Sequence, residues 1–135
     1  MGNTTEINAL TYRIIAAAIE VHRALRPGLL ESMYQECLCM EFEDVRISYQ
    51  REVPLPIRYK NRQLSYLYRL DLLVEGTVIL EIKAMEQLLP LHSAQLLTYL
   101  KNFDKQVGLL INFNVPVLKD GVRRVVNELG KEAQA

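Results

Sequence analysis

Apolar residues recur at helical spacing from the start of the chain: Ile7, Leu10, Ile14, Ala18, Val21 and Leu25 share one face of a helix. Asn3-Thr4-Thr5-Glu6 ahead of them is a capping box, and Pro27-Gly28 stops the helix. A second helix is expected over 29–44, with Leu30, Met33, Cys37 and Met40 as its buried stripe and Tyr34, Leu38 and Phe42 beside it. The period then changes. Ile47, Tyr49, Val53, Leu55, Ile57 and Tyr59 fall on odd positions, the alternation of a strand, and Pro54 and Pro56 mark an edge strand or a break. Lys60-Asn61-Arg62-Gln63 is a polar turn, followed by strands over 64–74, with Tyr66, Tyr68 and Asp71, and over 77–84, with Glu81 and Lys83. A connector over 85–90 ends in Pro90. The helical period returns from Leu91 through Leu96 and Leu100, with Gln95 and Tyr99 one turn apart on one face. Asp104-Lys105 is a turn, the apolar run 106–113 reads as a buried central strand, and 115–126 has room for one more strand around Asp120-Gly121. Residues 129–135 should fray. This order predicts an α/β domain, a mixed central sheet flanked by helices.

The 135 residues make one domain, 1–135, with enough chain for a real core. Sixteen basic residues oppose sixteen acidic ones, so the chain lacks the basic excess of a protein that holds nucleic acid by charge alone. Any such contact must come from a local patch. Candidates are Arg51, Arg58, Lys60, Arg62, Arg69, Arg123 and Arg124, each of which also reads as an ordinary solvated surface residue. The N-terminus has no secretory signal, and Glu6 breaks a myristoylation pattern. No apolar run reaches the length of a membrane span. Cys37 and Cys39 are two apart on a helix and point to different sides, so they read as two reduced thiols of a cytoplasmic protein. His22, beside the apolar stripe of the first helix, reads as a hydrogen-bonded structural residue rather than a ligand.

The chemistry gathers in the hairpin around Glu75-Gly76. Asp71, Glu81 and Lys83 interrupt runs of Leu, Val and Ile, where an unpaired charge is expensive. A two-residue loop would pair Asp71 with Leu80 and put it on the face opposite Glu81. A three-residue loop Val74-Glu75-Gly76 pairs it with Ile79 and gathers Asp71, Glu81 and Lys83 on one face, with Leu72, Val78, Leu80 and Ile82 on the other. The odd loop is therefore expected. Leu73 and Ile79 fall on the charged face, so both faces should be covered. Two carboxylates near a lysine are a natural site for a hard cation such as Mg²⁺ or Mn²⁺, with the backbone carbonyl of Ile82 as a third ligand. Lys83 would orient a water or stabilise the transition state. The alternative is a structural ion pair of Lys83 with one of the acids. Spacing alone does not separate the two. Glu31 similarly reads either as an acid favouring its helix N-terminus or as part of a site.

Gly28-Leu29-Leu30-Glu31-Ser32-Met33-Tyr34 matches the Gly-x-x-Glu-x-x-Tyr signature of the GxxExxY family, which is grouped with the PD-(D/E)XK nuclease superfamily. The resemblance runs from about Ile7 to Asn127, through Val21-His22, Tyr68-Arg69-Leu70-Asp71, Glu81-Ile82-Lys83-Ala84, Gln95-Leu96-Leu97-Thr98-Tyr99 and Gly108-Leu109-Leu110-Ile111-Asn112-Phe113. It implies a restriction-endonuclease-like αβββαβ core with Asp71, Glu81 and Lys83 as the active-site signature. It also implies that Glu31 completes the metal site, and that Gln95 and Tyr99 flank it as the Gln-x-x-x-Tyr motif of RecB-like nucleases. Arg26 stands where a Gly is expected before Pro-Gly, and Leu70 where the superfamily's name has Pro.

The function implied is metal-dependent hydrolysis of phosphodiester bonds in DNA. The alternative is a non-catalytic nucleic-acid-binding or regulatory module on the same scaffold. So short a chain leaves little room for a recognition domain, so specificity would need loops, a homodimer or a protein partner. The remaining reading, a scaffold with a structural ion pair at residues 71, 81 and 83, requires Asp71→Ala to be strongly destabilising. A metal site requires the metal-free fold to survive it.

Overall fold

A computed structural model of the chain describes residues 3–128, apart from the side chains of Tyr66 and Leu67. The expected fraying of 129–135 lies outside the described residues. Helix α1 (Thr4–Leu25) starts at the expected capping box: Asn3 accepts from the Glu6 amide, and Glu6 reaches back to the Asn3 amide. It buries Ile7, Ile14, Ala18 and Val21, with Leu10 and Leu25 packed at the margin. His22 is buried, and its Nε2–H donates to the Val115 carbonyl at 2.7 Å, the structural role read from the sequence.

Helix α2 (Glu31–Asp44) buries a different face from the one expected. Tyr34, Leu38, Cys39 and Phe42 enter the core, whereas Leu30 at the N-cap, Met33 and Met40 are exposed. Apolar residues lie on two sides of this helix, so the period does not choose between them. The choice falls to the aromatic pair: Tyr34 stacks on Phe113 at 4.6 Å between ring centroids. Cys37 and Cys39 are free thiols.

Among the described residues, five strands form one sheet in the order β1-β2-β3-β4-β5. β1 (Tyr49–Tyr59) and β2 (Arg62–Val74) make a long antiparallel hairpin, closed by Lys60 and Asn61, both at positive φ as a tight primed turn requires. β1 is an edge strand, the place its prolines permit. β3 (Val78–Lys83) pairs antiparallel with β2. Helix α3 (Pro90–Phe103), with Pro90 at N1, carries the chain across to β4 (Val107–Asn112), parallel to β3 and buried throughout. A 3₁₀ turn (Leu118–Gly121) leads into β5 (Val122–Val126), antiparallel to β4, the further strand that 115–126 had room for.

The β2–β3 loop is odd, as expected, but lies one residue further along. Glu75 and Gly76 both take positive φ, Val74 pairs with Val78, and Leu73 pairs with Ile79. Continuing this register sets Asp71 opposite Glu81 rather than opposite Ile79. The shift is even, so the faces are kept. Leu72, Val74, Val78, Leu80 and Ile82 pack under α1 and α2, and Leu73 and Ile79 under α3 with Leu96, Leu100 and Leu110.

The β1–β2 ribbon changes sides at one rung. Tyr49 and Val74 face α1 and α2, while Val53, Leu55 and Leu70 pack on the α3 side. Between the paired Arg51–Leu72 and Val53–Leu70, Glu52 has φ 51° and lies opposite Asp71. A mid-strand residue at positive φ locally breaks the alternation, as a bulge does, and re-aims what it carries.

Candidate active site

The site forms where the β2–β3 ladder ends. After the Leu72–Leu80 pair, side chains replace the main-chain rungs. The Asp71 amide donates to Glu81 Oε2 at 3.0 Å, and the Ile82 amide donates to Asp71 Oδ2 at 2.7 Å. Each carboxylate is thus fixed by a backbone N–H and keeps its second oxygen. β3 is covered on both faces, so Glu81 is buried at 8% exposure, and Asp71 is half-buried.

Burial and proximity set the electrostatics. Burial first, then the Asp71 charge, pushes the Glu81 carboxyl up to about 8. Burial also raises Asp71, against the Ile82 amide bond that lowers it, with Glu52 and Glu31 adding repulsion. Lys83 lies two residues beyond Glu81 and favours both ionised forms, but among the described residues it makes no ion pair with either. The neighbouring acids outweigh it: Glu52 at Asp71, and Asp71 at Glu81, raise each carboxyl more than Lys83 lowers it.

Helix α2 reaches the site from its first turn. Glu31 Oε2 accepts the Ala84 amide at 3.3 Å, tying the helix N-terminus to the end of β3. The loop before it is held by Tyr34. Tyr34 Oη donates to the Arg26 carbonyl at 2.6 Å and accepts the Leu29 amide at 3.1 Å. Gly28 at φ 113° takes a backbone conformation that side chains disfavour. Gly28, Glu31 and Tyr34 therefore act together: the first and last shape the loop that delivers the acid.

Tyr99 on α3 borders the pair from the other side. Burial, then the Glu81 charge, raises its phenol, with smaller contributions from Tyr68 and Asp71. Gln95, one turn earlier, is exposed and hydrogen-bonds to none of the carboxylates. Two further residues, absent from the sequence reading, join the acids: Glu52 and Gln35. Gln35 is 8% exposed, and its Nε2 donates to Glu52 Oε2 at 3.1 Å. Its place one turn after Glu31 was a readable signal. Glu52 had none, because it reaches the acids through an unsignalled positive φ in mid-strand.

The basic candidates divide. Arg58, Lys60, Arg62 and Arg69 are exposed along the β1–β2 hairpin. Arg51 pairs with Glu36 at 3.0 Å, Arg123 reaches the Leu88 carbonyl at 3.4 Å, and Arg124 binds Asn8 and Thr11 of α1. The donor set suits a hard cation: carboxylates with oxygens to spare and a surplus of negative charge that a cation would relieve. Among the described residues, however, no three carboxylate, imidazole or thiolate groups are already gathered at cation-binding distance. Among the described residues, no helix is long and apolar enough to cross a membrane.

No curated protein and no solved structure matches the chain. The family model of the PD-(D/E)XK nuclease superfamily matches residues 8–125, from the first turns of α1 into β5, and so spans every element of the site. A superfamily of this kind generally uses divalent metal ions and acts on nucleic acid. With the sheet, the acid pair and the match in agreement, the chain belongs to the PD-(D/E)XK nuclease superfamily.

Proposed function

We propose that the chain is a nuclease of the GxxExxY type that hydrolyses phosphodiester bonds in DNA with Mg²⁺ or Mn²⁺. One observation carries the reading. Asp71 and Glu81 are set opposite each other in a covered sheet, with no ion pair to either among the described residues and a Glu81 carboxyl raised to about 8. A fold that keeps such a pair without using it loses stability for nothing. In this reading Asp71 and Glu81 hold the metal with the Ile82 carbonyl, and Glu31 completes the set. When bound, the divalent cation supplies Lewis acidity toward the scissile phosphate and a more acidic water. The backbone bonds to Asp71 and Glu81 pre-orient both acids, so little ordering remains to be done on binding. Lys83 supplies positive charge to the phosphate as it becomes more anionic. Tyr99 limits solvent on the α3 side, and Gln95 reaches from the same helix face toward the substrate.

The second reading, a nucleic-acid-binding or regulatory module without catalysis, has its own observation: sixteen basic residues only balance sixteen acidic ones, which suits a chain that acts with a partner. Incubating the full chain with single-stranded, duplex and branched DNA, in Mg²⁺, Mn²⁺ or chelator, separates them. Cleavage that needs the metal and is lost in Glu81→Gln supports the nuclease. Binding without cleavage in either metal supports the module.

A further inference from the structure

We propose that Tyr68 and Tyr99 form a stacking step for an unpaired nucleobase beside the carboxylates, which makes single-stranded nucleic acid the substrate class. The inference rests on the nuclease reading above and specifies its substrate. The two rings lie 5.6 Å apart between centroids at 42°, one from β2 and one from α3. Tyr99 is half-buried and next to the acids, whereas Tyr68 remains 53% exposed. Tyr68 lies three residues before Asp71, beyond the rung at which the ribbon turns to the α3 side. Three strand residues span about 10 Å, roughly three base steps at about 3.4 Å each. A base on Tyr68 would thus sit within a few nucleotides of a phosphate at the acid pair.

Charge makes such a step useful. With sixteen basic and sixteen acidic residues, and several of the basic ones engaged by neighbours, phosphate neutralisation contributes little affinity. Stacking on an aromatic ring adds affinity that salt barely screens and that tolerates any base, because every base has a π-face. In a duplex those faces are already covered, so the step discriminates by strandedness.

The test is quenching of 2-aminopurine in a single-stranded oligonucleotide and in the matching duplex, with the full chain in chelator so that no hydrolysis intervenes. It is repeated in Asp71→Asn/Glu81→Gln, whose neutral amides remove carboxylate–phosphate repulsion, and with an RNA strand to separate deoxyribose from ribose. The expected result is preferential quenching of the single strand and about tenfold weaker binding in Tyr68→Ala, with Tyr68→Phe and Tyr68→Trp close to wild type. Duplex binding should be unchanged by all three. Equal binding of single strand and duplex, or a Tyr68→Ala chain that binds like wild type, overturns the stacking step. Its failure is distinct from that of the nuclease reading. Tyr68-dependent quenching with no cleavage in any metal leaves the step and removes the nuclease. Cleavage with quenching indifferent to Tyr68 does the reverse.

Discussion

Asp71 and Glu81 sit opposite each other at the end of the β2–β3 ladder, and their side chains take over its next rungs: Glu81 accepts the Asp71 amide, and Asp71 accepts the Ile82 amide. Two carboxylates are thereby held together in a partly desolvated place, at a cost to the metal-free fold.

Removing one charge while keeping its hydrogen bond should relieve that cost. Asp71→Asn retains an acceptor for the Ile82 amide, and the metal-free protein should melt at the same temperature or higher, by roughly 1 kcal/mol of stability. Asp71→Ala gains the same relief but orphans the Ile82 amide, so its two effects should nearly cancel. A structural ion pair would instead make both variants destabilising by about 3–5 kcal/mol. Thermal melts in chelator decide.

The Glu81 carboxyl also sets a pH dependence. Its folded-state value of about 8 lies above its ordinary 4.5, so the folded chain holds a proton that the unfolded chain releases. The stability associated with that proton is complete below about pH 4.5 and is lost as pH rises through about 8. Asp71, also raised, adds to the same slope. Urea unfolding in chelator from pH 5 to 8 should show a decline that Glu81→Gln flattens.

Tyr34 ties down the loop between α1 and α2 through one hydroxyl. Tyr34→Phe keeps the ring stacked on Phe113 but leaves the Arg26 carbonyl and the Leu29 amide without their partner. A loss of about 1–3 kcal/mol is expected. Metal-dependent cleavage should fall further than stability accounts for, because the same loop delivers Glu31. Activity measured well below the melting temperature separates the two effects.

Arg26 departs from the glycine expected before Pro27-Gly28, and the structure shows why glycine suits that place: its φ is 62° with ψ 174°. Arg26→Gly should relieve strain at the α1 C-cap and stabilise the protein by about 1 kcal/mol, read as a rise in melting temperature.

The hairpin geometry was legible because face depends only on loop parity. An odd loop put Asp71 and Glu81 together, even though the loop itself lies at Glu75-Gly76-Thr77 and the pairing is two residues further along. The stop of α1 at Pro27-Gly28 was equally legible. The buried face of α2 was not, since Met33 and Met40 mark one side as plainly as Tyr34, Leu38 and Phe42 mark the other. Glu52 was invisible for a different reason. It is an ordinary polar position in an alternating strand until a positive φ turns the ribbon there. Nor does composition show which arginines are free: Arg51 and Arg124 look like Arg58 and Arg62 until their neighbours are known.

Whether the Asp71–Glu81 pair holds a divalent cation for phosphodiester hydrolysis is decided by calorimetric titration of Mg²⁺ and Mn²⁺ into the wild type and Asp71→Ala/Glu81→Ala, with and without DNA, alongside cleavage of the same DNA. The expected result is metal binding by the wild type, with proton release near neutral pH, absent from the double variant, together with cleavage that follows binding. Wild type and double variant taking up metal alike, or neither taking it up at millimolar concentration even with DNA present, would contradict it.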